Sequence, residues 1–165
     1  MSSIIYKSID SVEKKHQNRH EPYEFYRQEA VPRSEGGQMV AAFYEIPPHK
    51  SNFPYHYHEK NAEFFYIISG VGIFRTCDGD IAIKAGDTLF CPPGEKSAHK
   101  ITNTSDSETL RYLDVDTTIS PETAYYPDSG KTGFLKFGQP SEFYLNGKRV
   151  DYYEGEGLKD KSFKQ

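Results

Sequence analysis

Between residues 38 and 117 the chain runs through one short β-prone segment after another, with no apolar helical period of useful length between them. Segments 40–46, 63–69, 71–77, 81–84, 88–91, 99–103 and 110–117 are rich in Val, Ile, Phe, Tyr and Thr, which suit a pleated, half-buried surface. Turn residues divide them: Pro47-Pro48, Ser69-Gly70, Asp78-Gly79, Ala85-Gly86-Asp87, Pro92-Pro93-Gly94 and the polar run 102–107. Asp-Gly between two β-rich runs is a strong hairpin signal, because tight hairpin turns need positive φ. Many short strands at near-regular spacing predict an all-β sandwich, jelly roll or barrel.

Three zones follow from this pattern: an N-terminal extension over 1–37, the barrel over 38–117, and a C-terminal extension over 118–165 that packs on it. Residues 8–17 are expected to form a short helix, with Ile9 and Val12 on one side. The last zone holds two short apolar runs, 133–137 and 142–145, expected to add one or two strands or to wrap the barrel, and 159–165 is expected to fray. A length of 165 residues is one domain's worth of chain, and 13 Tyr and 11 Phe supply core area that the aliphatic residues alone do not.

The net charge of −4 argues against a dedicated nucleic-acid binder, and residues 1–37 are too poor in apolar period for a helix-turn-helix. No apolar run approaches the ~20 residues of a membrane-spanning helix, and the first residues lack the apolar stretch of a secretory signal. Two cysteines, Cys77 and Cys91, are too few for a disulfide scaffold, so reduced thiols and a cytoplasmic address are expected.

The chemistry concentrates in four residues. His56 and His58 are two apart, and in a strand such residues share a face. Glu63 follows across a polar turn, at the head of the next strand. His99 lies 36 residues later, past a Pro-Pro-Gly turn, where a closed barrel can return it to the first strand. Three imidazoles and one carboxylate suit a single divalent Fe, Mn, Ni, Co or Zn ion and leave positions open for water or substrate. Free imidazole titrates near 6.5, so metal affinity is expected to drop below about pH 6.

These residues stand in a pattern that resembles the cupin superfamily. Its first motif, G-x5-H-x-H-x3,4-E-x6-G, is matched by His56-x-His58, four residues, Glu63, six residues and Gly70; Lys50 or His49 stands where the opening glycine belongs. Its second motif, G-x5-P-x-G-x2-H-x3-N, is matched by Gly86, Pro92-x-Gly94, His99 and Asn103, with two extra residues before the histidine that lengthen a rim loop over 95–98. The stretch 125–131 is similar to small bacterial single-domain cupins. The resemblance implies a double-stranded β-helix, a jelly-roll barrel, with His56, His58, Glu63 and His99 as metal ligands.

Other residues are weighed against that set. His16, His20 and His49 are read as surface or structural, and Cys91 as a small buried hydrophobe. Asp114 and Asp116 share a strand face and are expected on the solvated side, although Asp114, like Glu45, has the chemistry of an acid or base. Asn103 is expected to cap a turn or strand end. Arg75, Tyr66 and Tyr112 are candidates for the pocket wall, and Phe53 and Tyr55 for its mouth. Tyr6, Tyr23, Phe25, Tyr26, Tyr152 and Tyr153 are more aromatic surface than one small barrel needs and point to a homodimer.

Fold and metal do not fix a reaction. The resemblance implies three classes: a metal-assisted isomerase or epimerase acting on a small oxygenated metabolite or sugar, an Fe(II)-dependent dioxygenase, and a non-catalytic, metal-containing small-molecule-binding protein. In each the expected partner is a small molecule, not nucleic acid or membrane.

Overall fold

The computed structural model describes Ile4, residues 6–33 and residues 37–145. Thirteen strands run through them: β1 (Lys15–His20), β2 (Tyr23–Val31), β3 (Met39–Ile46), β4 (Tyr57–His58), β5 (Glu63–Ser69), β6 (Val71–Thr76), β7 (Gly79–Lys84), β8 (Thr88–Cys91), β9 (Lys100–Asn103), β10 (Leu110–Thr117), β11 (Glu122–Tyr126), β12 (Lys131–Leu135) and β13 (Glu142–Leu145). Two 3-10 turns, Ile9–Ser11 and Glu95–Ser97, lie wholly within the described residues. No helix among the described residues is long and apolar enough to cross a membrane.

The strands form an antiparallel jelly-roll barrel. One wall is the six-stranded sheet β1-β2-β3-β10-β5-β8. The other combines β7-β6-β9 with β13-β12-β11-β4, linked by the antiparallel bridges Ser51–Thr102 and His56–His99. The period of two is clearest on β3, where Val40, Ala42, Tyr44 and Ile46 are buried and the residues between them are partly exposed. Tyr44 and Tyr112 are opposite each other in the register of β3 and β10, and their rings stack at 5.1 Å. With Phe65 and Ile67 of β5 and Phe74, Ile83 and Ile101 of the other wall they make the core.

Gly70 alone joins β5 of one wall to β6 of the other. Its φ is +84, and a Cβ there would sit 2.7 Å from the Thr109 carbonyl oxygen, so glycine is required on two counts. The Asp78-Gly79 signal marks a hairpin whose two turn residues are Cys77 and Asp78, with Gly79 at φ +125 already paired to Thr76 as the first residue of β7. Near the slot of the missing motif glycine, His49 takes the left-handed conformation at φ 59.

The flanks differ from expectation. In place of a helix over 8–17 there is one 3-10 turn and then β1, paired with β2 through Lys15–Arg27, His16–Tyr26 and Gln17–Phe25. Two apolar residues give a helix too little to bury, whereas β2 offers an edge to pair with. The C-terminal zone contributes three strands, β11 to β13, rather than one or two. Tyr152, Tyr153 and residues 159–165 lie outside the described residues.

Candidate metal centre

Backbone pairing brings the distant histidine home. His56 N–H donates to the His99 carbonyl at 3.1 Å and His99 N–H to the His56 carbonyl at 2.9 Å, so the two side chains leave adjacent positions. His58 ends β4 and Glu63 begins β5, so both motif strands deliver a side chain to one place. Ligand atoms of His56, His58 and Glu63 lie within 4.8 Å of one another. His99 adjoins this trio: its Nε2 is 3.3 Å from Glu63 Oε2, its ring is 4.9 Å from that of His56, and it is 2% exposed, at the back of the site. His58 Nε2 is 3.6 Å from Glu63 Oε1.

Two of the three imidazoles are held in one tautomer. His56 Nδ1 lies 2.9 Å from the Pro54 carbonyl and His99 Nδ1 3.0 Å from that of Ser97. A carbonyl only accepts, so each Nδ1 carries the hydrogen and each Nε2 keeps its lone pair, the arrangement metal-binding histidines need. The extended loop before His99 therefore supplies that ring's acceptor, and Gly94 N–H ties the same loop to the His58 carbonyl at 2.8 Å. Phe74 stacks on His99 and Tyr126 on His56.

Burial keeps the cluster uncharged. It pushes His56 down to about 3, with His58 adding to the shift, His58 down to about 4, with His99 adding, and His99 down to about 3, with His56 adding. The same burial, with Asp116 and Glu122 nearby, raises the Glu63 carboxyl well above its usual range. The proton that a metal ion would displace is thus on the carboxyl rather than on three imidazoles, which moves proton competition at the histidines to lower pH than free imidazole predicts. Neutral nitrogen donors around one carboxylate fit a divalent transition ion.

A cavity of about 430 Å³ opens onto His56, His58 and Glu63, and its wall corrects several expectations. Asp114 is 6% exposed and, with Asp116, lines the cavity rather than the solvated face. Parity put the two on one face, and they share it with Leu110 and Tyr112, which are buried. Arg75 points away, paired with Asp128 and lying over the Tyr55 ring. Tyr66 is exposed, and Tyr112 is fully buried, its hydroxyl accepting from Asn52 Nδ2 at 2.9 Å. Phe53 lines the cavity and Tyr55 does not.

Asn103 acts as a structural clamp: its Nδ2 donates to the Ile46 and Glu108 carbonyls and its Oδ1 accepts from Ser105 N–H. Burial raises the Cys91 thiol to about 12, and the side chain joins the hydrophobic core. Glu45 pairs with Lys14 and Arg111 away from the cavity. His16 pairs with Glu24, His20 accompanies the Glu21 carbonyl, and His49 pairs with Asp106. Of the aromatics expected at a dimer interface, Tyr6 is exposed, but Phe25 is part of the core.

Sequence reasoning missed Arg27, Arg33 and Tyr126, which line the cavity from the two extensions, and Glu122. The Glu122 carboxylate holds the loop between His58 and Glu63. Its Oε1 accepts from Glu59, Lys60 and Thr123 N–H, and its Oε2 from Asn61 N–H and the Asn61 side chain.

Residues 42–116 match the profile of the cupin domain family. Over 71 residues the chain is 39% identical to the oxalate-binding protein of Thermotoga maritima, a match that covers 43% of this chain and 55% of that protein, so it spans about half the relative's length. Two solved structures share the fold. One is a candidate sugar phosphate isomerase from Acidithiobacillus ferrooxidans (TM-score 0.76, 21% identity, 87% of this chain and 91% of that one). The other is a cupin-superfamily sugar phosphate isomerase from Silicibacter pomeroyi (TM-score 0.74, 20% identity, 90% and 98%).

Proposed function

This chain belongs to the cupin superfamily, and on that premise we propose that it holds one divalent transition-metal ion on His56, His58, Glu63 and His99 and isomerises or epimerises a small oxygenated metabolite, of the sugar class. The observation that carries the reading is the orientation of the donors: two imidazoles have Nδ1 tied to backbone carbonyls, which leaves Nε2 free beside one buried carboxyl. A bound ion would supply Lewis acidity, which polarises a substrate carbonyl. The chain's own residues do the rest. Glu63 contributes the anionic donor, and Phe74 and Tyr126 fix the planes of the His99 and His56 rings. The two sugar phosphate isomerase folds support the reaction class. A cytoplasmic address belongs to the same reading, since Cys77 and Cys91 are both free thiols.

A second reading, a metal-containing binding protein without turnover, draws on the 39% identity to the oxalate-binding protein. NMR detection of aldose–ketose or epimer interconversion favours the first reading, and saturable oxalate binding without conversion of any sugar favours the second. An Fe(II) dioxygenase would instead consume oxygen after anaerobic iron loading. The ligand set is tested by metal content, measured by mass spectrometry after purification without chelator. His58→Ala should lose most of the metal and His49→Ala none. Full occupancy in His58→Ala, or loss in His49→Ala, refutes the assignment.

A further inference from the structure

Among the described residues, four buried side-chain atoms have no hydrogen-bond partner: Arg27 Nε, His58 Nδ1, Asp114 Oδ1 and Asp116 Oδ1. All four residues line the cavity that opens on His56 and Glu63. Native interiors pair more than about 90% of their buried polar groups. Three of the four, on Arg27, Asp114 and Asp116, stand on the six-stranded wall, and that concentration marks the place of a polar partner from outside the chain.

The sheet register explains how the wall is built. On β10, Asp114 lies opposite Ala42 and Phe65, and Asp116 opposite Val40 and Glu63. Arg27 of β2 lies opposite Tyr44, one inward step along and two strands over from Asp114. Tyr44 of β3 lines the cavity between them, with the Arg27 guanidinium 5.6 Å over its ring. Arg27 Nη1 is committed to Glu29, which leaves Nε for a ligand. Asp114 and Asp116 are within hydrogen-bonding reach of each other, and a proton shared between them still leaves lone pairs on both carboxyls.

The mixture of donors and acceptors selects the ligand. An anion at this wall would meet Asp114 and Asp116, and a cation would meet the Arg27 guanidinium. A hydroxyl group both donates and accepts, so neighbouring hydroxyls match an array of two carboxyls and one N–H. We propose that Asp114, Asp116 and Arg27 form a subsite that binds adjacent hydroxyls of a polyhydroxylated substrate, with its carbonyl end toward His56, His58 and Glu63. This deepens the sugar-class reading and rests on it for the placement of the carbonyl end, but not for the binding of hydroxyls.

The test is saturation-transfer NMR and calorimetry with erythritol, xylitol, D-glucose, D-fructose and oxalate, on the protein as purified and after metal loading. At least one of the four polyols or sugars should bind, and Asp114→Asn and Arg27→Gln, on different strands, should each weaken it tenfold or more. Circular dichroism of each variant checks the fold, and Asp116→Asn replaces any variant that fails it. Binding of none of the four, or variants that bind as wild type does, overturns the subsite. Oxalate binding that depends on Asp114 and Arg27 in the same way also overturns it, because the wall would then take an anion. Hydroxyl binding that survives while His58→Ala keeps its metal leaves the subsite standing and refutes the metal assignment alone.

Discussion

Glu122 is 2% exposed, and its replacement by Ala should cost about 3–5 kcal/mol and most of the bound metal. The magnitude follows from who loses a partner. Glu59 N–H keeps the Thr123 carbonyl at 2.9 Å, and Lys60, on the exposed loop, can turn its N–H to water. Asn61 is 5% exposed, so its backbone N–H is stranded and its side-chain amide keeps only the Ile119 carbonyl, at about 1–3 kcal/mol for each bond lost. Loss of the side chain's packing adds to this. Against a typical total of 5–15 kcal/mol the variant should still fold. The loop it frees spans His58 to Glu63, so metal occupancy should fall with stability. Glu122→Gln keeps one acceptor oxygen but turns an amide N–H₂ toward donors, and should fall between. Urea unfolding followed by circular dichroism gives the free energy, and mass spectrometry gives the metal. A loss under about 1 kcal/mol with full occupancy would refute the clamp.

Gly70→Ala should destabilise by at least about 2 kcal/mol, because it combines a φ of +84 with a 2.7 Å approach to the Thr109 oxygen. A loss below about 0.5 kcal/mol in urea would show that the chain crosses between walls with room to spare. Metal binding should release its proton from Glu63, whose carboxyl is raised, rather than from the imidazoles, which are lowered. Affinity should rise with pH as that raised carboxyl ionises, and the imidazoles should compete only as the pH falls toward 4 and then 3. Calorimetry at about pH 5.5, in two buffers of different ionisation enthalpy, counts the protons, and a count near three would mean the imidazoles are charged in the fold. A homodimer is expected by light scattering at micromolar concentration. Phe64 and Phe90, opposite each other on β5 and β8 and both exposed, are the aromatic pair to mutate, and a monomeric wild-type mass would count against the assembly.

What the sequence alone determined is what local chemistry can encode. The period of two, the Asp78-Gly79 hairpin and the glycines at 70 and 86 locate the barrel strands closely, because strand identity and positive-φ turns depend on a few consecutive residues. The His56-x-His58 pair declared a shared face for the same reason. Tertiary structure decided what depends on residues far apart in the chain. His99 stands beside His56 because their backbones pair, a contact that the second cupin motif implied but no local pattern specifies. Parity placed Asp114 and Asp116 together but not on which side, since Leu113 and Val115 on the opposite face are apolar too. The partners of Glu122 lie some 60 residues upstream, and a carboxylate that clamps a loop has no signature beyond being a glutamate. The helix expected over 8–17 gave way to β1 because an available sheet edge outweighs a weak local preference.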